Sequence, residues 1–121
     1  MWRRNCFITA TSASKDEIAL REEIGVETIM FGTDFPHQEA TWPHTPAYLN
    51  TILRGCTEQE ARLIAGENAV RAYGFDLAKL RPVAERVGPE IADVLSETGP
   101  LADEAARHPR PARGDTFGTV L

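Results

Sequence analysis

The segment Val-Glu-Thr-Ile-Met-Phe-Gly at positions 26–32 decides the fold, and it runs directly into Thr-Asp-Phe-Pro-His at 33–37. The first segment is apolar apart from Glu27 and Thr28, and it does not alternate strictly between apolar and polar residues. Such a pattern is typical of a strand that is buried on both faces in a parallel sheet. We therefore predict a buried strand over 26–32 in an α/β protein.

The residues before this strand complete a βαβ unit. Residues 5–10, Asn-Cys-Phe-Ile-Thr-Ala, favour a strand. Ser14 and Glu17 have the spacing of a capping box, and Gly25 stands where helices commonly end, so a helix is predicted over 15–24. Strand, helix and strand in succession predict two parallel strands with a right-handed crossover.

The residues after the strand predict one loop and several helices. Residues 33–46 carry three prolines and no helical or strand period, which indicates a loop. Thr45 is predicted as the N-cap of the next helix, and a capping box at Thr57 and Glu60 begins a helix that ends at Gly74. Two further helical segments are predicted: residues 76–88, in one or two pieces with Pro82 in the first turn of the second, and 89–96.

Composition places the 121-residue chain among soluble globular proteins, with 42% hydrophobic and 26% charged residues. We expect one domain over 1–97 and a flexible Pro/Arg-rich tail over 98–121. The net charge of −5 disfavours nucleic acid and anionic membrane surfaces as partners. No export signal or membrane-spanning run is visible, and Cys6 and Cys56 lack any CxxC pattern, so we expect reduced cysteines in a cytoplasmic protein.

The residues that could do chemistry gather just after the buried strand, in the order Asp34, His37, Glu39 and His44. Active sites of parallel α/β proteins assemble at the carboxyl ends of strands, where carboxylates and imidazoles can bind a metal ion or move protons. The alternative is an ordinary loop in which Asp34 forms an Asx-turn and the others are solvated. A small self-contained metal binder built from these four residues is a third possibility.

Other candidates are weaker, because the chain has no glycine-rich phosphate loop and no GxSxG elbow. We interpret Glu67 and Asn68 as helix capping and packing residues. His108 lies in the predicted tail and is given no role. Three aromatic residues are expected in the core or in a pocket wall: Trp42, Tyr73 and Phe75.

Three stretches resemble the amidohydrolase superfamily, in its amidohydrolase-related, decarboxylase-like branch. Phe-Gly-Thr-Asp-Phe-Pro-His at 31–37, followed by Glu-Ala-Thr-Trp-Pro at 39–43, resembles the last barrel strand of that family. Residues 66–75 resemble the Gly-x-Asn-Ala helix that follows the barrel, and residues 5–9 resemble its seventh strand. The resemblance covers roughly residues 3–88. It implies the C-terminal part, about two βα units plus terminal helices, of a metal-dependent (β/α)8 TIM barrel of about 250 residues.

The resemblance also implies a site. In the family a divalent metal ion, Zn²⁺ in our expectation, is held by a His-x-His pair, by histidines of middle strands and by the aspartate of the last strand. Only that aspartate has a counterpart here, Asp34, because the chain contains no His-x-His. Asp34 is therefore implied as metal ligand and catalytic proton acceptor, with His37 and Trp42 as substrate-binding residues.

The implied activity is that of a hydrolase or a non-oxidative carboxy-lyase acting on a small carboxylate or amide-type substrate, and the fold does not choose between them. With two of eight strands, this chain alone would be inactive, and we expect a truncated reading frame, a split gene or a shortened piece. The alternative is a non-catalytic remnant or interaction module that pairs with another chain. Two isolated parallel strands leave open edges, so we expect an oligomer or a partner-dependent protein.

Overall fold

The computed structural model describes residues 2–11 and 13–109. Within these residues the chain is mainly helical, with one small sheet. In chain order the elements are α1 (Trp2–Asn5), β1 (Ile8–Ala10), α2 (Lys15–Ala19), α3 (Arg21–Ile24), β2 (Ile29–Phe31), α4 (Thr45–Leu53), α5 (Glu58–Arg62), α6 (Asn68–Tyr73), α7 (Leu77–Val87), α8 (Ile91–Leu95) and α9 (Pro100–Arg107). A 3₁₀ turn, Val26–Thr28, precedes β2, and a π-helical segment, Leu63–Glu67, joins α5 to α6.

The two strands pair in parallel, as the sequence predicts, and the structure sets their register with Ile8 opposite Ile29. Both strands are shorter than predicted. Asn5 ends α1 instead of opening β1, and the chain turns through Val26–Thr28 before β2 begins. The turn forms because the buried Thr28 hydroxyl donates to the carbonyl oxygen of Gly25 at 2.8 Å. The mixed helix and parallel-sheet character of the predicted α/β class is therefore present.

Three helix ends lie where the capping residues in the sequence predict them, and two other predictions fail. The capping boxes at Ser14 and Thr57 both form, and Gly74 ends α6 in the left-handed conformation. The predicted helix over 15–24 is interrupted at Leu20, which separates α2 from α3. The predicted N-cap of α4 at Thr45 is wrong: His44 occupies that position, and the Thr45 hydroxyl bonds the Thr41 hydroxyl at 3.0 Å instead.

The core lies around α4, which packs against α2, α8 and α9, and around β2, which packs against the π-helical segment and α6. Helix α4 supplies much of this core, and α2, β2, α5, the π-helical segment and α8 complete it. The buried cluster consists of Ile18, Ile29, Tyr48, Leu49, Ile52, Leu53, Ala61, Ile64 and Val94. It holds β2 against the helices that follow the strand.

The structure decides between the alternatives left for one region and differs from the prediction for another. Residues 77–87 form one helix that continues through Pro82, and none of its residues is buried. Because this helix is exposed, the carbonyl that Pro82 leaves without a backbone donor is open to water. In the segment predicted as a flexible tail, Pro100–Arg107 form α9, which packs on α4 through the buried Ala102 and Ala105. The remainder of that prediction, from residue 110 onward, lies outside the described residues.

No helix in the described part of the chain has the length and apolar character needed to cross a membrane. Cys6 and Cys56 are both free thiols, in agreement with the expectation of reduced cysteines.

Candidate functional site

Asp34 lies at the start of the loop that leaves β2. Its backbone has φ of 59°, in the left-handed region, which aspartate tolerates better than most residues with a side chain. The loop closes behind it, because the amide of Thr41 donates to the carbonyl oxygen of Thr33 at 3.0 Å. The Asp34 side chain is 43% exposed. A strained backbone and a closed loop thus present an accessible carboxylate at the carboxyl end of a parallel strand.

His37 is the nearest titratable neighbour of Asp34. Its Nδ1 lies 3.4 Å from Asp34 Oδ2, and its backbone N–H donates to the backbone carbonyl oxygen of Asp34 at 2.8 Å. The amide of Glu39 donates to the same Nδ1 at 3.3 Å. In this arrangement Nδ1 accepts, so the neutral ring carries its proton on Nε2.

Trp42 lies on the same loop and packs edge-on against the ring of Phe35, with 5.8 Å between ring centroids. Both rings are largely exposed. Trp42 also lines a cavity, as the sequence suggests. The same expectation is wrong for Tyr73 and Phe75, because both side chains are exposed where the chain leads into the exposed helix α7. Their rings contact each other, with 5.5 Å between ring centroids.

The cavity, of about 400 Å³, lies between this loop and the end of α9. His44 Nδ1 lies 2.7 Å from Glu104 Oε1, and its ring stacks on His108 with centroids 4.0 Å apart. His44 therefore pairs with α9, and His108, to which the sequence assigns no role, packs beside it. Sequence analysis did not identify Glu104 either. The available signal was the spacing of Glu104 and His108, which are four residues apart and so lie on one face of a helix. The polar and aromatic lining residues are Thr41, Trp42, His44, Tyr48, Arg107 and His108.

A complete metal site does not form among residues 2–11 and 13–109, where no three His, Cys, Asp or Glu side chains are grouped to hold an ion. The self-contained metal binder built from Asp34, His37, Glu39 and His44 is therefore not seen there, and the bond to Glu104 explains the position of His44. The exposed carboxylate of Asp34 fits the role of one ligand in a larger set, since carboxylate oxygens are ordinary ligands of divalent ions.

Asn68 connects the segment 66–75 to the strand that leads to Asp34. Its side chain is fully buried, and Nδ2 donates to the carbonyl oxygens of Val26 at 2.7 Å and Ile29 at 2.8 Å. The packing role predicted for Asn68 is confirmed. The capping role is wrong, because α6 continues from the π-helical segment and no side chain caps its start.

The parallel strand pair and the helices packed on it, with Asp34 at the end of one strand and the buried Asn68 behind that strand, give the chain α/β character. The family model described as amidohydrolase matches residues 2–75, which is more than half of the chain. The chain belongs to this amidohydrolase family. The match includes β1, β2, the Asp34 loop and α6, while α7, α8 and α9 lie beyond it. No curated protein and no solved structure matches the chain.

Proposed function

We propose that this chain is the C-terminal part of a metal-dependent hydrolase or carboxy-lyase with a (β/α)8 barrel, and that Asp34 is its metal ligand and proton acceptor. One observation carries the proposal: Asp34 presents an accessible carboxylate at the carboxyl end of a parallel strand. In barrel enzymes that end of the strands carries the catalytic groups. Family membership supports the coarser class of hydrolase or related lyase.

The proposed chemistry concerns Asp34, His37 and a divalent metal ion. A bound divalent ion, Zn²⁺ in this proposal, would supply Lewis acidity toward a carbonyl, a carboxylate or a water molecule. Asp34 would be one ligand of that ion and would act as the proton acceptor. His37, whose Nδ1 lies 3.4 Å from Asp34 Oδ2, would stand beside that carboxylate on the substrate side.

The proposed substrate is a small carboxylate or amide-type molecule, with His37 and Trp42 on the substrate side of the loop. Trp42 borders the cavity and offers an exposed aromatic surface. We also propose a cytoplasmic location, which the two free thiols support. The other metal ligands would come from polypeptide beyond the described residues, so we propose that this chain alone is inactive.

The test uses the native protein that carries this chain, and first compares its length with the roughly 250 residues of a barrel. Asp34→Asn then removes the charge while asparagine still tolerates the left-handed backbone. We expect the metal affinity to fall at least tenfold and turnover to be lost. Asp103→Asn, at an exposed position of α9, is the matched control.

Two results would overturn the proposal. One is unchanged metal content in Asp34→Asn, and the other is a native protein that binds no divalent ion at all. His44→Gln separates the proposal from the small metal binder, because only the small binder predicts a sharp loss of metal from that variant.

The second candidate function is a non-catalytic interaction module that pairs with another chain. The observation that favours it is the exposed apolar face of α7, beyond the matched family segment. A native protein without bound metal, but with a stable partner, would support this alternative over the enzyme.

A further inference from the structure

A second cavity, of about 210 Å³, lies where α2 and α3 meet the carboxyl end of α4 and the turn that follows it. Three cationic residues line this cavity, Lys15, Arg21 and Arg54, and none of the described residues that line it is acidic. The whole chain has 18 acidic and 13 basic residues, so the cavity departs locally from the average charge of the protein. We call it the cationic cavity.

Arg21 contributes little net charge to the cationic cavity, because a carboxylate balances it. Its Nε and Nη2 donate to the two carboxylate oxygens of Glu60, at 2.8 Å and 3.2 Å. The same Nη2 lies 3.5 Å from the carbonyl oxygen of Gly55. A bidentate pair of this kind holds a guanidinium in one orientation. Arg21 therefore forms a fixed wall of the cavity.

Lys15 and Arg54 carry positive charges that no carboxylate balances. Neither takes part in an ion pair within the described part of the chain. Arg54 is held by a neutral group instead, because its Nη2 donates to Asn50 Oδ1 at 3.1 Å. Cys56, which also lines the cavity, adds no negative charge, since burial raises the pKa of its thiol and keeps it protonated at neutral pH. Two unbalanced positive charges thus face one small cavity.

Helix stability accounts for only one of these two charges. Arg54 is the C-cap of α4, an end at which the helix dipole favours a cation. Lys15 is the first residue of α2, an end at which the dipole disfavours a cation. An anion in the cavity would favour both side chains.

We propose that the cationic cavity binds a phosphate group, either free phosphate or the phosphate of a small monoester. A phosphate group carries a charge of about −1.5 to −2 at pH 7, which matches the two unbalanced cations, whereas a single carboxylate would leave one of them unbalanced. The volume is about seven times that of a water molecule in the liquid, so five heavy atoms fit. The apolar side chains of Ile18 and Ile52 complete the lining and strengthen the attraction by excluding water.

The thiol of Cys56 provides a measure of whether the cavity is occupied. The experiment follows the modification of each cysteine by iodoacetamide in the native protein that carries this chain, by mass spectrometry at pH 8. Inorganic phosphate should slow the modification of Cys56, and the effect should saturate with a dissociation constant on the order of 1 mM. Cys6, the other free thiol, does not line the cavity and is the internal control. Sodium chloride at equal ionic strength controls for screening.

Variants of the two unbalanced cations test which groups bind the phosphate. Lys15→Gln and Arg54→Gln should each raise the dissociation constant by about three- to fivefold, and the double variant should lose the protection of Cys56. Because Arg54 also bonds Asn50, the exposed Lys15 gives the variant that removes a charge without breaking a hydrogen bond listed for the fold of α4. Lys79→Gln and Arg62→Gln remove exposed cations elsewhere and are the matched controls.

Saturable protection of Cys56 that weakens in both variants supports the proposal. Methyl phosphate, measured in parallel, identifies a monoester as the better ligand if it binds more tightly than inorganic phosphate, and free phosphate if it binds more weakly. The proposal is overturned if phosphate does not protect Cys56, if sodium chloride protects it equally, or if Lys15→Gln leaves the dissociation constant unchanged. None of these readouts depends on Asp34 or on metal, so the outcome is independent of the proposed enzyme function.

Discussion

Asn68 Nδ2 donates a hydrogen bond of 2.8 Å to the carbonyl oxygen of Ile29, and both residues are fully buried. A second bond of 2.7 Å reaches the carbonyl oxygen of Val26. One side chain on α6 therefore satisfies two backbone acceptors at the start of β2. The bonds fix the helix that follows the π-helical segment against the strand whose far end carries Asp34.

Loss of this side chain should destabilise the fold strongly. Asn68→Ala removes both bonds. The Val26 carbonyl oxygen keeps the amide of Ile29 as a donor, but the buried Ile29 carbonyl oxygen loses the Asn68 donor, so we expect a loss of about 1–3 kcal/mol in the free energy of unfolding. Asn68→Asp should be worse, because a carboxylate would face the same two oxygens. Urea denaturation measures the effect, with the exposed Asn5→Ala as the control. A loss below about 0.5 kcal/mol in Asn68→Ala would contradict the role of these bonds.

Gly32 should be intolerant of a side chain because β1 approaches it closely. A Cβ at this position would lie 2.8 Å from Thr9 Cγ2 and 3.1 Å from Thr11 Cγ2, both on short branched side chains. We expect Gly32→Ala to cost roughly 1–3 kcal/mol by pushing β1 away. Gly66→Ala is the matched control, since no neighbouring atom lies within 4 Å of its Cβ, and it should stabilise the helix by up to about 1 kcal/mol. Equal effects at the two glycines would exclude close approach as the reason for Gly32.

Features that depend on a few neighbouring residues could be predicted from the sequence. The capping boxes at Ser14 and Thr57 and the left-handed Gly74 each involve residues within four positions of one another, and all three form. The length of β2 could not be predicted, because β propensity does not show that Thr28 closes a turn on Gly25.

In the candidate site, too, the local feature could be predicted from the sequence and the long-range contact could not. The position of Asp34 at the end of a buried strand follows from the pattern of apolar residues before it. The pairing of His44 with Glu104 joins residues 60 positions apart, and it exists only because α9 docks on α4. Composition did not reveal α9, because the buried residues of this helix are two small alanines among polar residues, in a segment rich in proline and glycine.

The ion pair between Arg21 and Glu60 should make stability depend on pH. Arg21 Nε lies 2.8 Å from Glu60 Oε1, and each side chain is only 17% exposed. The hydrogen bond from Arg21, with further ones from Thr57, holds the pKa of Glu60 below its usual range. A carboxyl whose pKa is lower in the folded than in the unfolded state stabilises the fold above the unfolded value of about 4.3, and this stability is lost as the pH falls through the folded pKa.

We therefore expect Glu60→Gln to cost roughly 1–2 kcal/mol at pH 7, and the difference from the parent to shrink as the pH is lowered from 5 to 3. The oxygen of glutamine can still accept from the Thr57 amide and complete the capping box, but its amide nitrogen cannot accept from Arg21 Nε, so the variant removes the pair with Arg21 and keeps the cap. Glu58→Gln is the control, because its pair with Arg62 is exposed and should contribute less than about 0.5 kcal/mol. A difference for Glu60→Gln that stays constant over this pH range would rule out the ion pair as its cause.

The bond between His44 and Glu104 should decide how often α9 opens. An ionised carboxylate only accepts, so His44 Nδ1 carries the proton and donates to it. We expect Glu104→Gln to speed hydrogen exchange of the α9 amides by about two- to fivefold, which corresponds to roughly 0.5–1 kcal/mol, and to leave exchange in α5 unchanged. Asp103→Asn neutralises the exposed neighbouring residue and is the control. Equal exchange in the two variants would mean that the apolar packing of α9, and not this bond, holds α9 on α4.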